Sequence, residues 1–149
     1  MTFLQQPLLF PHEPNYDPHL YKVADCNTLA FHAICSWPQW VDSFLIIHGP
    51  AFSGKTHLAH VWKNLSNACF VSMTDSFPPH ATLIIDDLKP CHLTPDFFHF
   101  INRVREKKAY CLLLASSDPL TWSCDLVDLT SRLKAMVSIP LTQPDEDHL

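Results

Sequence analysis

HGPAFSGKTHL, residues 48–58, contains both glycines of a 149-residue chain. Glycine reaches left-handed backbone angles at little cost and lets another group approach the main chain, so a chain this sparing of it marks a loop with special demands. Gly49, Pro50, Ala51, Phe52, Ser53, Gly54, Lys55 and Thr56 fit G-x-x-x-x-G-K-[ST], the phosphate-binding P-loop. In such a loop backbone N–H groups cradle phosphate oxygens, the lysine neutralises them and the threonine hydroxyl holds Mg2+. The flanks suit the motif. SFLIIH (43–48) is a short continuous apolar run of the kind buried in parallel sheets, and THLAHVWKNL (56–65) carries Leu58, Val61, Trp62 and Leu65 at helical spacing. Strand, loop and helix in that order bring a helix N-terminus, with its partial positive charge, to the phosphates. Gly49 to Thr56 and the adjoining His57 are therefore the candidate nucleotide contacts. Many such loops have a further glycine where Phe52 stands, which implies a stiffer loop or an altered nucleotide affinity.

Composition fits one domain with a full core: 47% of residues are hydrophobic and 17% charged. A net charge of −5 and a pI near 6.0 argue against a general nucleic-acid surface, which needs clustered Lys and Arg. The one basic cluster, Arg103 to Lys108, is interrupted by Glu106 and reads as the solvated end of a helix. No apolar run approaches the roughly 20 residues that span a bilayer, and the N-terminus lacks the pattern of a secretory signal, so a cytoplasmic protein without membrane contact is expected. Six cysteines (26, 35, 69, 91, 111, 124) show no C-x-x-C spacing; Cys69 and Cys111 fall in strand-like runs where a thiol acts as a small hydrophobe, and all six read as reduced. His57 and His60 stand three apart on the helix after the loop with no third ligand nearby, so a histidine metal site is not expected.

Beyond the loop the chain alternates. ACFVSM (68–73), ATLIIDDL (81–88), AYCLLLASS (109–117) and MVSIPL (136–141) join SFLIIH as five apolar strands, with helices expected from Thr94 to about Lys108 and from Leu129 to Lys134. This pattern predicts an α/β fold of the P-loop NTPase type, an αβα sandwich on a five-stranded parallel sheet. Thr94 is the expected N-cap of its helix, with Pro95 first inside, Asp96 favouring the dipole, and Phe97, Phe98, Ile101 and Val104 forming an apolar stripe. TDSFPPH (74–80) is too short and proline-rich for a helix, so that crossover reads as an abbreviated loop.

Mg2+ and an attacking water need carboxylates at the C-terminal end of a strand neighbouring the P-loop strand. LIIDDL supplies Asp86, expected to hold Mg2+ through water together with Thr56, and Asp87, expected to orient or polarise the water. AYCLLLASS ends in Ser116, Ser117 and Asp118, polar groups placed to sense a γ-phosphate, with Ser117 the chosen candidate. In DLTSRLKA (128–135), Arg132 sits between the anchors Leu129 and Leu133 and can project towards a neighbouring subunit's nucleotide; an ordinary surface salt bridge is the alternative.

In this order, GPAFSGKTHL, LIIDDL, LLLASSDP and DLTSRL resemble the AAA+ core of the bacterial replication initiator DnaA and its shorter relatives of the Hda type. WPQW (37–40), GKTHLAHVW, the pair Pro119 and Trp122, and DLTSRLKA followed by PDEDHL resemble the alphaproteobacterial Hda pattern over nearly the whole chain. The resemblance implies that Arg132 is an arginine finger acting in trans, and that YKVADCNTLA (21–30) forms the adenine side, with Tyr21, Val23 and Asn27 lining the base pocket. It implies ADP or ATP with Mg2+ as cofactors. QPLLF (6–10) resembles the short motif that docks proteins on the replicative sliding clamp, with Gln6, Leu8, Leu9 and Phe10 as partner contacts; Pro7, Pro11 and Pro14 keep that stretch extended. Residues 1–15 are thus expected as an extended clamp-binding segment and 16–149 as the AAA+ base domain.

Two departures from the family qualify this. The sequence stops just after its fifth strand, where the family continues into a helical lid; lacking the lid would weaken nucleotide binding and self-assembly, whereas a fragment would merely omit it. The short 74–80 crossover replaces a helix and is expected to leave one sheet face barer, for the N-terminal segment to cover. The implied function is an adaptor that docks on the clamp and promotes hydrolysis of DnaA-bound ATP, with little turnover of its own, DnaA and the clamp as partners, a homodimer possible, and no direct sequence-specific DNA binding. The alternatives are a loader-type AAA+ ATPase that recruits a helicase or polymerase component, and a small P-loop kinase or ATPase, for which 10 Lys plus Arg are few.

Overall fold

The computed structural model describes residues 27–142. In chain order the elements are α1 (Thr28–Cys35), β1 (Phe44–His48), α2 (Lys55–Ser66), β2 (Cys69–Phe70), β3 (Thr82–Leu88), α3 (Pro95–Glu106), β4 (Tyr110–Ala115), α4 (Val127–Lys134) and β5 (Val137–Pro140), with single 3-10 turns at Pro90–His92 and Pro119–Thr121. All five strands are parallel, in the order β2-β3-β4-β1-β5. Among the described residues no helix is long and apolar enough to cross a membrane.

That order follows from handedness. The chain leaves β1 through α2 for the far edge at β2, then steps back through β3 and β4 and jumps over β1 to β5. Right-handed crossovers running in opposite directions must lie on opposite faces of the sheet. Accordingly α1 and α2 cover one face through Ile34, Leu58, Trp62, Leu45 and Ile47, while α3 and α4 cover the other through Phe97, Phe100, Ile101, Leu133, Phe44 and Ile46. Strand β1 is consequently apolar on both sides, as a doubly covered parallel strand must be.

Several elements depart from the sequence reading. Strand β2 is only two residues long, lies at the sheet edge and leaves Cys69 exposed, so that thiol is not a core hydrophobe. Leu65 shares the periodicity of α2 but is 44% exposed. Thr94 holds the N-cap position of α3 without capping it; its hydroxyl donates instead to the His92 carbonyl at 3.4 Å. The stripe of α3 also includes Phe100, fully buried, while Phe98 is only partly so.

The 71–81 crossover contains no helix, as its prolines require, but it does not leave the sheet bare. Phe77 is buried against Phe100, with ring centroids 5.9 Å apart. Arg103 and Lys107 were expected in the solvated end of α3, yet they fasten this loop. Arg103 donates to the Met73 and Asp75 carbonyls, Lys107 donates to the Phe77 carbonyl at 2.6 Å, and both cations lie over the Phe77 ring. Arg105 completes the departure by pairing with Asp42 at 3.1 Å. On the opposite face WPQW forms an aromatic block: Trp40 stacks on Trp62 of α2 at 4.9 Å, and Trp37 meets Trp62 and Tyr110 edge-on. The block locks α1 to α2, with about 0.5–1.5 kcal/mol per aromatic pair beyond area burial.

Candidate functional site

The loop between β1 and α2 is pinned at both ends. Gly49 donates its N–H to the Ala115 carbonyl of β4, and Ser53 donates to the Pro50 carbonyl at 3.2 Å. A Cβ on Gly49 would lie 2.6 Å from the Leu141 carbonyl oxygen and 2.9 Å from Ser53 Oγ, so this position is glycine because another backbone presses on it. Gly54 has φ 104°, the left-handed region, and serves as N-cap of α2. Phe52 occupies the same region at φ 65°, where a side chain is strained, and the residue is 92% exposed. Phe52 thus holds a backbone angle that favours glycine.

Lys55 folds back over the loop, donating to the Gly49 and Pro50 carbonyls. Burial lowers its pKa, and the Asp86 and Asp87 carboxylates act in the opposite sense. Those two aspartates therefore lie within electrostatic reach of the lysine. Burial, and next His60, also lowers the pKa of His57, the first residue after Thr56. Thr56 is exposed in the first turn of α2, where backbone N–H groups have no acceptor within the helix. Ser53 is 2% exposed, and its Oγ has no hydrogen-bond partner among the described residues.

Asp86 and Asp87 are presented by a bulge. Ile85 pairs with Leu113 and Leu88 with Ala115, so β3 uses one more residue than β4 over the same length. The extra residue takes Asp87 to φ 59° and leaves both carboxylates exposed, the re-aiming of side chains that a bulge produces. Asp87 contacts Lys89 at 3.3 Å, an exposed pair of little energetic weight. The expectation of a strand adjacent to β1 needs correction: β4 lies between β1 and β3, because the step from β3 to β4 brings the chain back towards β1.

The end of β4 consequently faces the loop most directly. Its polar residues divide. Ser117 Oγ accepts the Trp122 indole N–H at 2.8 Å. Asp118 accepts from the Leu120 N–H at 3.0 Å and the Ser138 hydroxyl at 3.3 Å, and its second oxygen stands 3.9 Å from His48 Nε2. Of the three polar residues it is Asp118 that ties the segment after β4 to the end of β1 and to Ser138 within β5, a role no local sequence pattern reveals.

Arg132 lies on the α3–α4 face, the side opposite α2. Its guanidinium covers the Phe98 ring at 4.7 Å, and Nε donates to Asn102 Oδ1 at 3.2 Å. Among the described residues it has no carboxylate partner, so the surface salt bridge is not formed there. Asn27 is fully buried, with its carboxamide bonded to Ser53 and Thr142. Tyr21, Val23, Gln6, Leu8, Leu9 and Phe10 lie outside the described residues.

No protein-family model and no curated protein matches the chain. Solved structures do. A replication initiator DnaA bound to AMPPCP and single-stranded DNA is similar at a TM-score of 0.66 and 18% identity, over 86% of this chain and 50% of that one. AMPPCP-bound DnaA from Aquifex aeolicus gives 0.64 and 18%, over 86% and 50%. A protein provisionally assigned as a primosome component, from Streptococcus pyogenes serotype M3, gives 0.59 and 14%, over 91% and 87%. The chain spans about half the length of the DnaA structures it matches. What these likenesses show is the fold: a five-stranded parallel sheet between helices, an α/β architecture shared with the DnaA structures.

Proposed function

We propose that this chain is a replication-associated nucleotide-binding protein of AAA+ type, acting as an adaptor that promotes hydrolysis of ATP on DnaA. The observation that carries the nucleotide reading is the loop 49–56: two glycines set by close approach and left-handed angle, a lysine over the loop, and Asp86 and Asp87 within reach of its charge. These residues fit ADP or ATP. Loop and α2 N–H groups would hold the phosphates, Lys55 would turn from the Gly49 and Pro50 carbonyls to the phosphate charge, and Thr56 with Asp86 would hold Mg2+. Held there, the metal would supply charge neutralisation at the phosphates. Asp87, on its bulge, would orient water, and Ser117 would read the γ-phosphate end. His57 adjoins the phosphate side, while Tyr21, Val23 and Asn27 belong to the base side.

Arg132 supports action in trans because it is partly exposed, lacks an ion-pair partner among the described residues and lies on the face away from the chain's own α2. On a neighbouring nucleotide it would stabilise the charge of phosphoryl transfer. Gln6, Leu8, Leu9 and Phe10 would seat the protein on the sliding clamp, bringing that arginine to DnaA in the cytoplasm; self-association is a further expected contact.

The first experiment is titration with Mg-ADP and Mg-ATP. Wild type should bind, and Lys55→Ala should lose about 10- to 100-fold in affinity, the weight of a charge-assisted contact. Equal affinity in the variant would refute the loop as the site. A loader reading, in which the protein recruits a helicase or polymerase component, is favoured by the primosome-assigned structure, of which the chain covers 87%. Phe10→Ala separates the two: loss of clamp binding supports the adaptor, and indifference supports the loader.

A further inference from the structure

Asn27 holds the N-cap position of α1, yet its side chain makes no capping bond to that helix. Its carboxamide is used elsewhere. Oδ1 accepts the Thr142 N–H at 3.3 Å, while Nδ2 donates to the Thr142 carbonyl and to the Ser53 carbonyl, each at 3.4 Å. A carboxamide has two N–H donors and one carbonyl acceptor, so every part of this fully buried group is engaged. The backbone it grips is already against the phosphate loop. Leu141 donates its N–H to the His48 carbonyl at 2.7 Å, and its own carbonyl is what a Cβ on Gly49 would strike. Residues 141–142 therefore bear on the loop at its first residue directly and near its last through Asn27.

We propose that Asn27 is a positioning residue that couples the shape of the phosphate loop to the backbone leaving β5. Nucleotide in the loop tightens residues 141–142, and by linkage any displacement of those residues weakens nucleotide binding. The inference rests on reading residues 49–56 as a nucleotide site. Both N–H donors of the side chain are spent on Ser53 and Thr142, so Asn27 serves the base side through the backbone it holds. Asn27→Asp tests it sharply: a carboxylate would face two carbonyl oxygens with no proton to donate.

The experiment is residue-resolved amide exchange on the full chain with and without saturating Mg-ADP. In wild type, ADP should slow exchange at Gly54, Lys55 and Thr56 and also at Leu141 and Thr142. In Asn27→Asp at matched saturation, the loop amides should still respond while Leu141 and Thr142 do not, and the dissociation constant should rise by about tenfold or more. Thr142→Pro, which removes the donated N–H from the other end of the contact, should weaken ADP binding similarly and keeps the test open if Asn27→Asp does not fold. Loop protection without any response at 141–142 in wild type would overturn the coupling, as would an undiminished response in Asn27→Asp. No response at Gly54 to Thr56 would overturn the nucleotide reading itself, and the inference with it.

Discussion

Phe52 and Gly49 show how far single residues govern the loop. Phe52 sits at φ 65° and is almost fully exposed, so the fold gains little from the ring and bears a left-handed angle at a cost of about 1–2 kcal/mol. Alanine at position 52 keeps that cost and glycine removes it. Phe52→Gly should therefore be more stable than Phe52→Ala by about 1 kcal/mol in denaturant unfolding, after the greater freedom of unfolded glycine is counted. Gly49 is limited by space rather than angle: Gly49→Ala drives a methyl to 2.6 Å from the Leu141 carbonyl and should cost about 1–3 kcal/mol in the same measurement. The motif alone made both glycines legible. It did not reveal why Gly49 is needed, because the atom pressing on it belongs to residue 141, far along the chain.

At the scale of elements, the crossover between β2 and β3 and the burial of the cysteines carry the most. Local composition predicted a loop at 74–80 but not its anchor, since Arg103 and Lys107 lie on and just after α3 and meet it only in the folded chain. Arg103→Ala removes two hydrogen bonds and the cation over Phe77 and Phe100, and should lower stability by about 2–3 kcal/mol, with the earliest proteolytic cuts moving into 71–81. The thiols report packing directly. Burial pushes Cys35 from the ordinary thiol value near 9 up to about 11, and pushes Cys111 up as well. A folded state that holds a thiol protonated keeps that contribution below pH 9 and loses it as pH rises towards 11 and beyond. Stability should thus fall above pH 9 with Cys35 titration, and Cys35→Ala should reduce the steepness of that fall. Among the described cysteines, thiol reagents at pH 8 should modify exposed Cys69 and Cys91 first and Cys111 only on unfolding.

For the whole molecule, the sheet could be read from five apolar runs because a doubly covered parallel strand has no polar face to obscure it. Strand order could not. The same five runs allow β3 beside β1, and only the chain's return path places β4 between them, which shifts the rim residue nearest the P-loop strand from the aspartate pair to Asp118. The bulge at Asp86–Asp87 was equally hidden, since one extra residue leaves no mark in hydrophobic periodicity. Arg132 belongs to this scale because its proposed use lies outside its own chain. Removing it costs one hydrogen bond and one ring contact, about 1–2 kcal/mol, so Arg132→Ala should remain folded and bind nucleotide as wild type does. That makes it the cleanest probe of the proposed role. The decisive measurement is single-turnover hydrolysis of labelled ATP bound to DnaA, with sliding clamp loaded on DNA, in the presence of this protein or its Arg132→Ala variant. The account predicts a stimulation approaching the roughly 10^3- to 10^5-fold of arginine fingers supplied in trans, lost in the variant. Equal stimulation by both proteins, or none from folded wild type that binds nucleotide, would contradict it.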